Sequence, residues 1–169
     1  MKLWGYIFIA IILLAYGCAT PRHAEQHSST KSVEGKYARM LGVDVGDISN
    51  KKLYAFIDEW YGVPYKYAGK TKSGVDCSGF TCVLFREIYL KELSGSSSSL
   101  HKQCKPISKE KLQEGDLIFF KIDSKDVSHV GVYLQNNKFV HATTKAGVMI
   151  DDLDEDYYKK YFFESGRLN

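Results

Sequence analysis

The sequence predicts an α+β fold in which N-terminal helices pack on a mainly antiparallel, curved sheet. Two observations carry this. Apolar residues recur at helical spacing from about Asp47 to Ile88, and after Gly115 the period shortens to that of extended chain. Size agrees, since 169 residues with 44% hydrophobic and 14% aromatic content suit one compact domain plus a terminal appendage. Lys and Arg number 23 against 20 Asp and Glu, a formal charge of +3, with the basic residues scattered singly or in pairs. Nothing in that pattern requires a nucleic-acid partner.

An apolar run from Leu3 to Tyr16 follows the positive Lys2, which is the layout of an export signal. It is too short for a comfortable membrane span. Its end, Leu14-Ala15-Tyr16-Gly17-Cys18, resembles a bacterial lipoprotein signal, although Ala15 stands where Leu is usual. That resemblance implies a signal peptide over residues 1–17 and a lipidated Cys18, with more than one acyl chain needed for stable membrane anchoring; a plainly cleaved signal and a short uncleaved anchor, which begin with the same layout, are the alternatives. Ala19 after the cysteine points to the outer membrane, facing the periplasm. Residues 18–46 read as a lipidated N-terminus and flexible tether, because Ala19 to Ser32 offers almost nothing to bury. His23 and His27 stand at helical spacing there, but without acidic or cysteine partners they read as solvated.

The folded domain is expected over residues 47–169. Ser49 or Asn50 caps a helix whose Leu53, Phe56, Ile57, Trp60 and Tyr61 share a face, and Gly62 and Pro64 stop it. Pro64-Tyr65-Lys66-Tyr67 then enters a glycine-punctuated loop, Gly69 to Gly74. A second helix starts around Cys77, with Phe80, Leu84 and Ile88 in step. Ser94 to Ser99 reads as a linker or as the lead into a short helix through Leu100 and Cys104. Successive strands are expected over 116–120, 128–134, 138–143 and 148–150.

Cysteines at 18, 77, 82 and 104 lack the paired spacing of a metal site and the density of a disulfide scaffold. Cys82 and Cys104 read as separately buried thiols, with a bridge between them as the alternative. Cys77 is different in its setting. A thiol is a nucleophile as thiolate, and a helix N-terminus favours that anion through its unpaired amides and dipole. Asp76 is a good N-cap candidate, and small Ser78 and Gly79 would let a substrate backbone approach. The Asp76 charge opposes a thiolate, so its carboxylate should be occupied by backbone amides or by a cationic substrate group.

A cysteine at a helix start is by itself more often a buried thiol than a catalyst. His129 and His141, on adjacent predicted strands, supply the partners that nucleophilic thiol catalysis requires. Register decides whether they can act together. A two-residue turn at Asn136-Asn137 would send the two rings to opposite faces. A three-residue loop, Gln135-Asn136-Asn137, with Asn137 left-handed and a bulge, would place Gly131 opposite His141 and aim both histidines at Cys77.

Four stretches together resemble the NlpC family of papain-like cell-wall endopeptidases. They are Pro64 to Tyr67; Gly74-Val75-Asp76-Cys77-Ser78-Gly79-Phe80; Leu112 to Phe120; and His129-Val130-Gly131-Val132-Tyr133-Leu134 followed by Phe139-Val140-His141-Ala142. The resemblance runs from about Lys51 to the C-terminus. It implies a papain-like fold, Cys77 as nucleophile, His129 as general base and acid, and His141 as the residue orienting the imidazole. It also implies that the Tyr65 hydroxyl helps hold the oxyanion and that Asp76 and Ser78 contact a peptidoglycan stem peptide. The implied substrates are the D-glutamyl-diaminopimelate bond or a diaminopimelate cross-link, cut without metal or cofactor by a monomer. Two departures stand out: Tyr67-Ala68-Gly69 replaces the usual Tyr-Gly-Gly, and Leu93-Ser94-Gly95-Ser96-Ser97 replaces a Pro-Arg-Ser-Ser-like segment. A thiol acyltransferase or thioesterase, and a non-catalytic wall-binding lipoprotein, are the alternative readings.

Overall fold

The computed structural model describes residues 33–168. The expected signal peptide, Cys18 and the His23/His27 pair lie outside the described residues.

Residues 33–41 are helical (α1), which corrects the expectation of a tether as far as residue 46. Tyr37, Ala38 and Leu41 repeat at helical spacing and are fully or almost fully buried. The Tyr37 ring lies 5.6 Å from that of Tyr54, and its hydroxyl donates to Asp58 at 3.2 Å. Polar Glu34, Gly35 and Lys36 surround the first apolar contact and mask this stripe in the sequence.

Helix α2 (Lys51–Trp60) is capped as expected, the Asn50 side chain accepting from the Leu53 amide. Leu53, Ile57 and Trp60 are buried, while Tyr61 follows the helix and is exposed. A two-stranded ribbon, β1 (Lys70–Thr71) with β2 (Gly74–Val75), leads into α3 (Cys77–Tyr89). The serine-rich segment forms α4 (Ser97–His101), capped by the Ser96 hydroxyl. Cys104 opens a strand, β3 (Cys104–Ile107), rather than closing that helix.

The remaining strands are β4 (Leu117–Phe120), β5 (His129–Tyr133), β6 (Lys138–Thr143), β7 (Gly147–Asp152) and β8 (Phe162–Leu168), with α5 (Asp156–Tyr161) before the last. They join in the order β3-β8-β4-β5-β6-β7, every neighbour antiparallel. Alternation along the strands splits the core in two. Leu117, Phe119, Val130, Val132, Val140 and Ala142 pack with α2 and α3, whereas Ile118, Phe120 and Phe139 pack with Leu153 and Tyr158 on the far side. A register shift of β4 against β8 falls between Phe119 and Phe120, and Phe120 pairs with His129. The sheet therefore bends beside the first histidine.

β5 and β6 pair Val132 with Val140 and Tyr133 with Phe139, the register that by count puts Gly131 level with His141. The connection is the three-residue loop. Asn136 and Asn137 both have left-handed backbones, φ 49° and 60°, where only Asn137 was expected to. Their side chains are tied down as well, Asn136 to the Leu41 carbonyl at 2.7 Å and Asn137 to Asp154 at 2.7 Å.

Candidate active site

Cys77 is the first residue of α3 and is buried. Asp76 caps the helix with a fully engaged carboxylate. One oxygen accepts from the Gly79 amide at 2.6 Å and the Ser78 hydroxyl at 3.0 Å, and the other accepts from the Ala68 amide at 2.8 Å. Its charge is thus occupied largely by the backbone. Gly79 is not open to a substrate as expected: a Cβ there would stand 2.1 Å from the Gly69 carbonyl oxygen, so the loop fills that space.

The helix start does not leave Cys77 as a thiolate. Burial pushes its pKa up to about 11, hydrogen bonding with the Val130 backbone works the other way, and the Asp76 charge adds to the rise. Desolvation outweighs the helix terminus, and the resting group is a neutral thiol. The same Val130 contact sets the sulfur against β5 one residue from His129. Tyr65 lies close by: burial raises its pKa first, and the Cys77 and Asp76 charges raise it further.

The two imidazoles meet. His129 Nε2 lies 2.7 Å from His141 Nδ1, with the rings near perpendicular at 74°. Both project to the sheet face that carries Phe120, Phe139 and Tyr158, the rings lying 5.8 Å from Phe120 and 4.6 Å from Phe139 respectively. Burial and the neighbouring His141 hold the His129 pKa down to about 3, so that ring is neutral. Among the described residues no hydrogen bond joins the Cys77 thiol to either ring. The register aligns the histidines with each other and brings the thiol to the adjoining backbone.

Two further residues belong to this cluster. His141 Nε2 lies 2.9 Å from Asp151 Oδ2, and the Tyr158 hydroxyl donates to the same oxygen while standing 3.4 Å from His141 Nε2. Among the described residues no three His, Cys, Asp or Glu side chains are grouped to hold a metal ion. Cys82 and Cys104 are free thiols, the Cys104 sulfur lying 3.4 Å from the Leu100 carbonyl.

Residues 62–167 match the model of the NlpC/P60 family. The chain belongs to the NlpC/P60 family. It is 34% identical over 173 residues to the murein DD-endopeptidase MepS/murein LD-carboxypeptidase of Escherichia coli K12, covering 97% of this chain and 91% of that protein. Over 113 residues it is 41% identical to the "Probable endopeptidase NlpC" of the same organism, covering 66% of this chain and 73% of the relative. A crystal structure of an NlpC/P60 protein from Bacillus cereus superposes with a TM-score of 0.64 at 29% identity, covering 70% of this chain and 40% of that one.

The NlpC/P60 match takes in Tyr65, Asp76, Cys77, Ser78, His129 and His141, and begins after α1 and α2. Asp151 and Tyr158 escaped the sequence reading for a physical reason. Asp151 stands in Asp151-Asp152-Leu153-Asp154-Glu155-Asp156, which reads as a solvated acidic turn. Extending the β7 alternation from His141's partner Met149 is the one signal that reaches Asp151, on the same face.

Proposed function

We propose that the protein is a peptidoglycan endopeptidase that hydrolyses an amide bond of murein stem peptides through a Cys77 acyl-enzyme. The observation that carries this reading is the neutral His129–His141 pair, with His129 on β5, the strand whose Val130 backbone meets the buried Cys77 thiol. His129 Nε2 is engaged with His141, which leaves Nδ1 as the nitrogen for the thiol. As Cys77 attacks the carbonyl carbon, His129 takes the thiol proton. The oxyanion forms beside the first amides of α3, with the Tyr65 hydroxyl as a second donor. His129 then protonates the departing amine, and it later deprotonates the water that releases the acyl group. Asp76 and Ser78, linked to each other at the mouth of α3, contact the stem peptide.

The E. coli relative that spans almost the whole chain is named for DD-endopeptidase and LD-carboxypeptidase activity on murein, which supports a cross-link as the target over the D-glutamyl-diaminopimelate bond. The apolar run before Cys18 supports a lipid anchor in the outer membrane, which would hold the enzyme, as a monomer, next to its substrate. Mass spectrometry of purified muropeptides tests the reaction. The expected result is conversion of cross-linked dimers to monomers by the wild type and none by Cys77→Ala. Intact dimers with an active acyl thioesterase, or full function in Cys77→Ala, would overturn the reading. Cys18→Ser is expected to move the protein from the membrane fraction to the soluble periplasm.

A further inference from the structure

We propose that Asp151, backed by Tyr158, is a positioning residue that locks the tautomers of both imidazoles, so that the nitrogen of His129 left for Cys77 is an unprotonated Nδ1. Burial works against the Asp151 charge, but hydrogen bonds from His141 and Tyr158 hold its pKa below the ordinary carboxylate value. An ionised carboxylate only accepts. Tyr158 therefore donates its hydroxyl proton to Oδ2, and burial, the bond to Asp151 and that charge keep the phenol protonated.

The second ligand of the same oxygen is His141 Nε2 at 2.9 Å, so this nitrogen carries a proton. His141 is buried with its pKa lowered, so the ring is neutral and its Nδ1 is bare. A bare Nδ1 accepts, and among the described residues the group hydrogen-bonded to it is His129 Nε2 at 2.7 Å, which must supply the proton. His129 is neutral too, and its single N–H is then spent on His141. Its Nδ1 has a free lone pair. Reversing the His141 tautomer would put the His129 proton on Nδ1 and block the base.

Tyr158 is itself held in place. Its ring stands edge-on to Phe139 at 4.9 Å and lies 5.5 Å from Phe120, so α5 presses the hydroxyl onto Asp151 from the face away from α3. Among the described residues, Lys145 acts on Asp151 through its charge, and Glu155 acts on His141 and Tyr158. Neither makes a hydrogen bond to His141 or Tyr158 among the described residues.

The kinetic arm of the test rests on the endopeptidase reading; the spectroscopic arm does not. Long-range 15N–1H correlation spectra of the full chain at neutral pH are expected to show both rings protonated at Nε2 and bare at Nδ1. Asp151→Ala is expected to mix the His141 tautomers and to lower kcat for muropeptide cleavage by about 10–100-fold, as loss of an outer orienting partner does, with KM within about 2-fold. Asp151→Asn can present a carbonyl oxygen at the place of Oδ2, and Tyr158→Phe keeps the carboxylate. In every variant kcat should follow the fraction of His141 protonated at Nε2. A wild-type His141 protonated at Nδ1, or activity lost while the ring signals stay unchanged, overturns the proposal. The wild-type spectrum decides even if Asp151→Ala fails to fold. A wild type with the expected tautomers but no muropeptide cleavage would instead overturn the endopeptidase reading alone.

Discussion

At the scale of single residues, the candidate thiol and two imidazoles were legible through the company of the motifs around them, and the structure brings the two imidazoles together. Their protonation was not legible. Position at a helix start suggested a thiolate, yet burial and Asp76 push Cys77 up to about 11, and burial with His141 brings His129 down to about 3. Only the packed environment sets that balance. The sign for the proposed mechanism follows: a general base at His129 acts as the neutral ring, and a lowered pKa keeps it neutral at lower pH. We expect kcat/KM to persist well below the ordinary imidazole value of about 6.5, without an acidic limb there, as initial rates on muropeptides across that range would show. Ala68 offers a second check. It replaces a family glycine and adopts φ 55°, where an L side chain costs roughly 1–2 kcal/mol. The unfolded-state entropy of glycine offsets part of this. Ala68→Gly should therefore stabilise the protein by about 0.5–1 kcal/mol in urea denaturation. A destabilised variant would show that this backbone is not strained.

At the scale of elements, legibility followed the strength of the local pattern. Helices α2 and α3 carry marked apolar stripes, and Asn136-Asn137 marks the β5–β6 turn, but its length stayed open between two and three residues until the structure closed it on Leu134 and Lys138. Two elements gave weaker signals. α1 buries Tyr37, Ala38 and Leu41 but opens with Glu34, Gly35 and Lys36, so its stripe competes with a polar context. β8 sits between β3 and β4 although it contains Glu164, Gly166 and Arg167, because those residues are satisfied by tertiary partners. Glu164 pairs with His101 at 2.6 Å, and Arg167 grips Asp116 at 2.7 and 2.8 Å. The cap of α3 tests how an element carries the site. Removing the Asp76 carboxylate leaves three donors without their acceptor, and loss of a helix cap costs about 0.5–2 kcal/mol. Asp76→Ala is expected to lose at least that in thermal or urea unfolding, with Asp76→Asn losing less. Equal stability of all three proteins would mean that the Ala68 loop is held by something else.

At the scale of the whole molecule, the sheet divides two kinds of interior. One face meets the helices that bring Cys77, and the other meets α5 and Tyr158, with the histidine rings against Phe120, Phe139 and Tyr158. Two imidazoles held neutral in that interior make stability depend on pH. An unfolded histidine takes a proton near pH 6.5, roughly its free value, whereas folded His129 does so only at about 3. Between those values the unfolded chain binds more protons than the folded one, so stability falls as pH falls through that window. Asp151 acts in the same direction at the lower end, since its folded pKa is lowered and its contribution disappears as it is protonated. The urea midpoint should thus drop between about pH 7.5 and pH 4.5, and His129→Gln, which cannot titrate, should show a shallower drop over the same interval. Parallel curves for the two proteins would place the acid sensitivity elsewhere. A shallower curve would mean that the neutrality needed for a general base at His129 is maintained at the expense of acid stability.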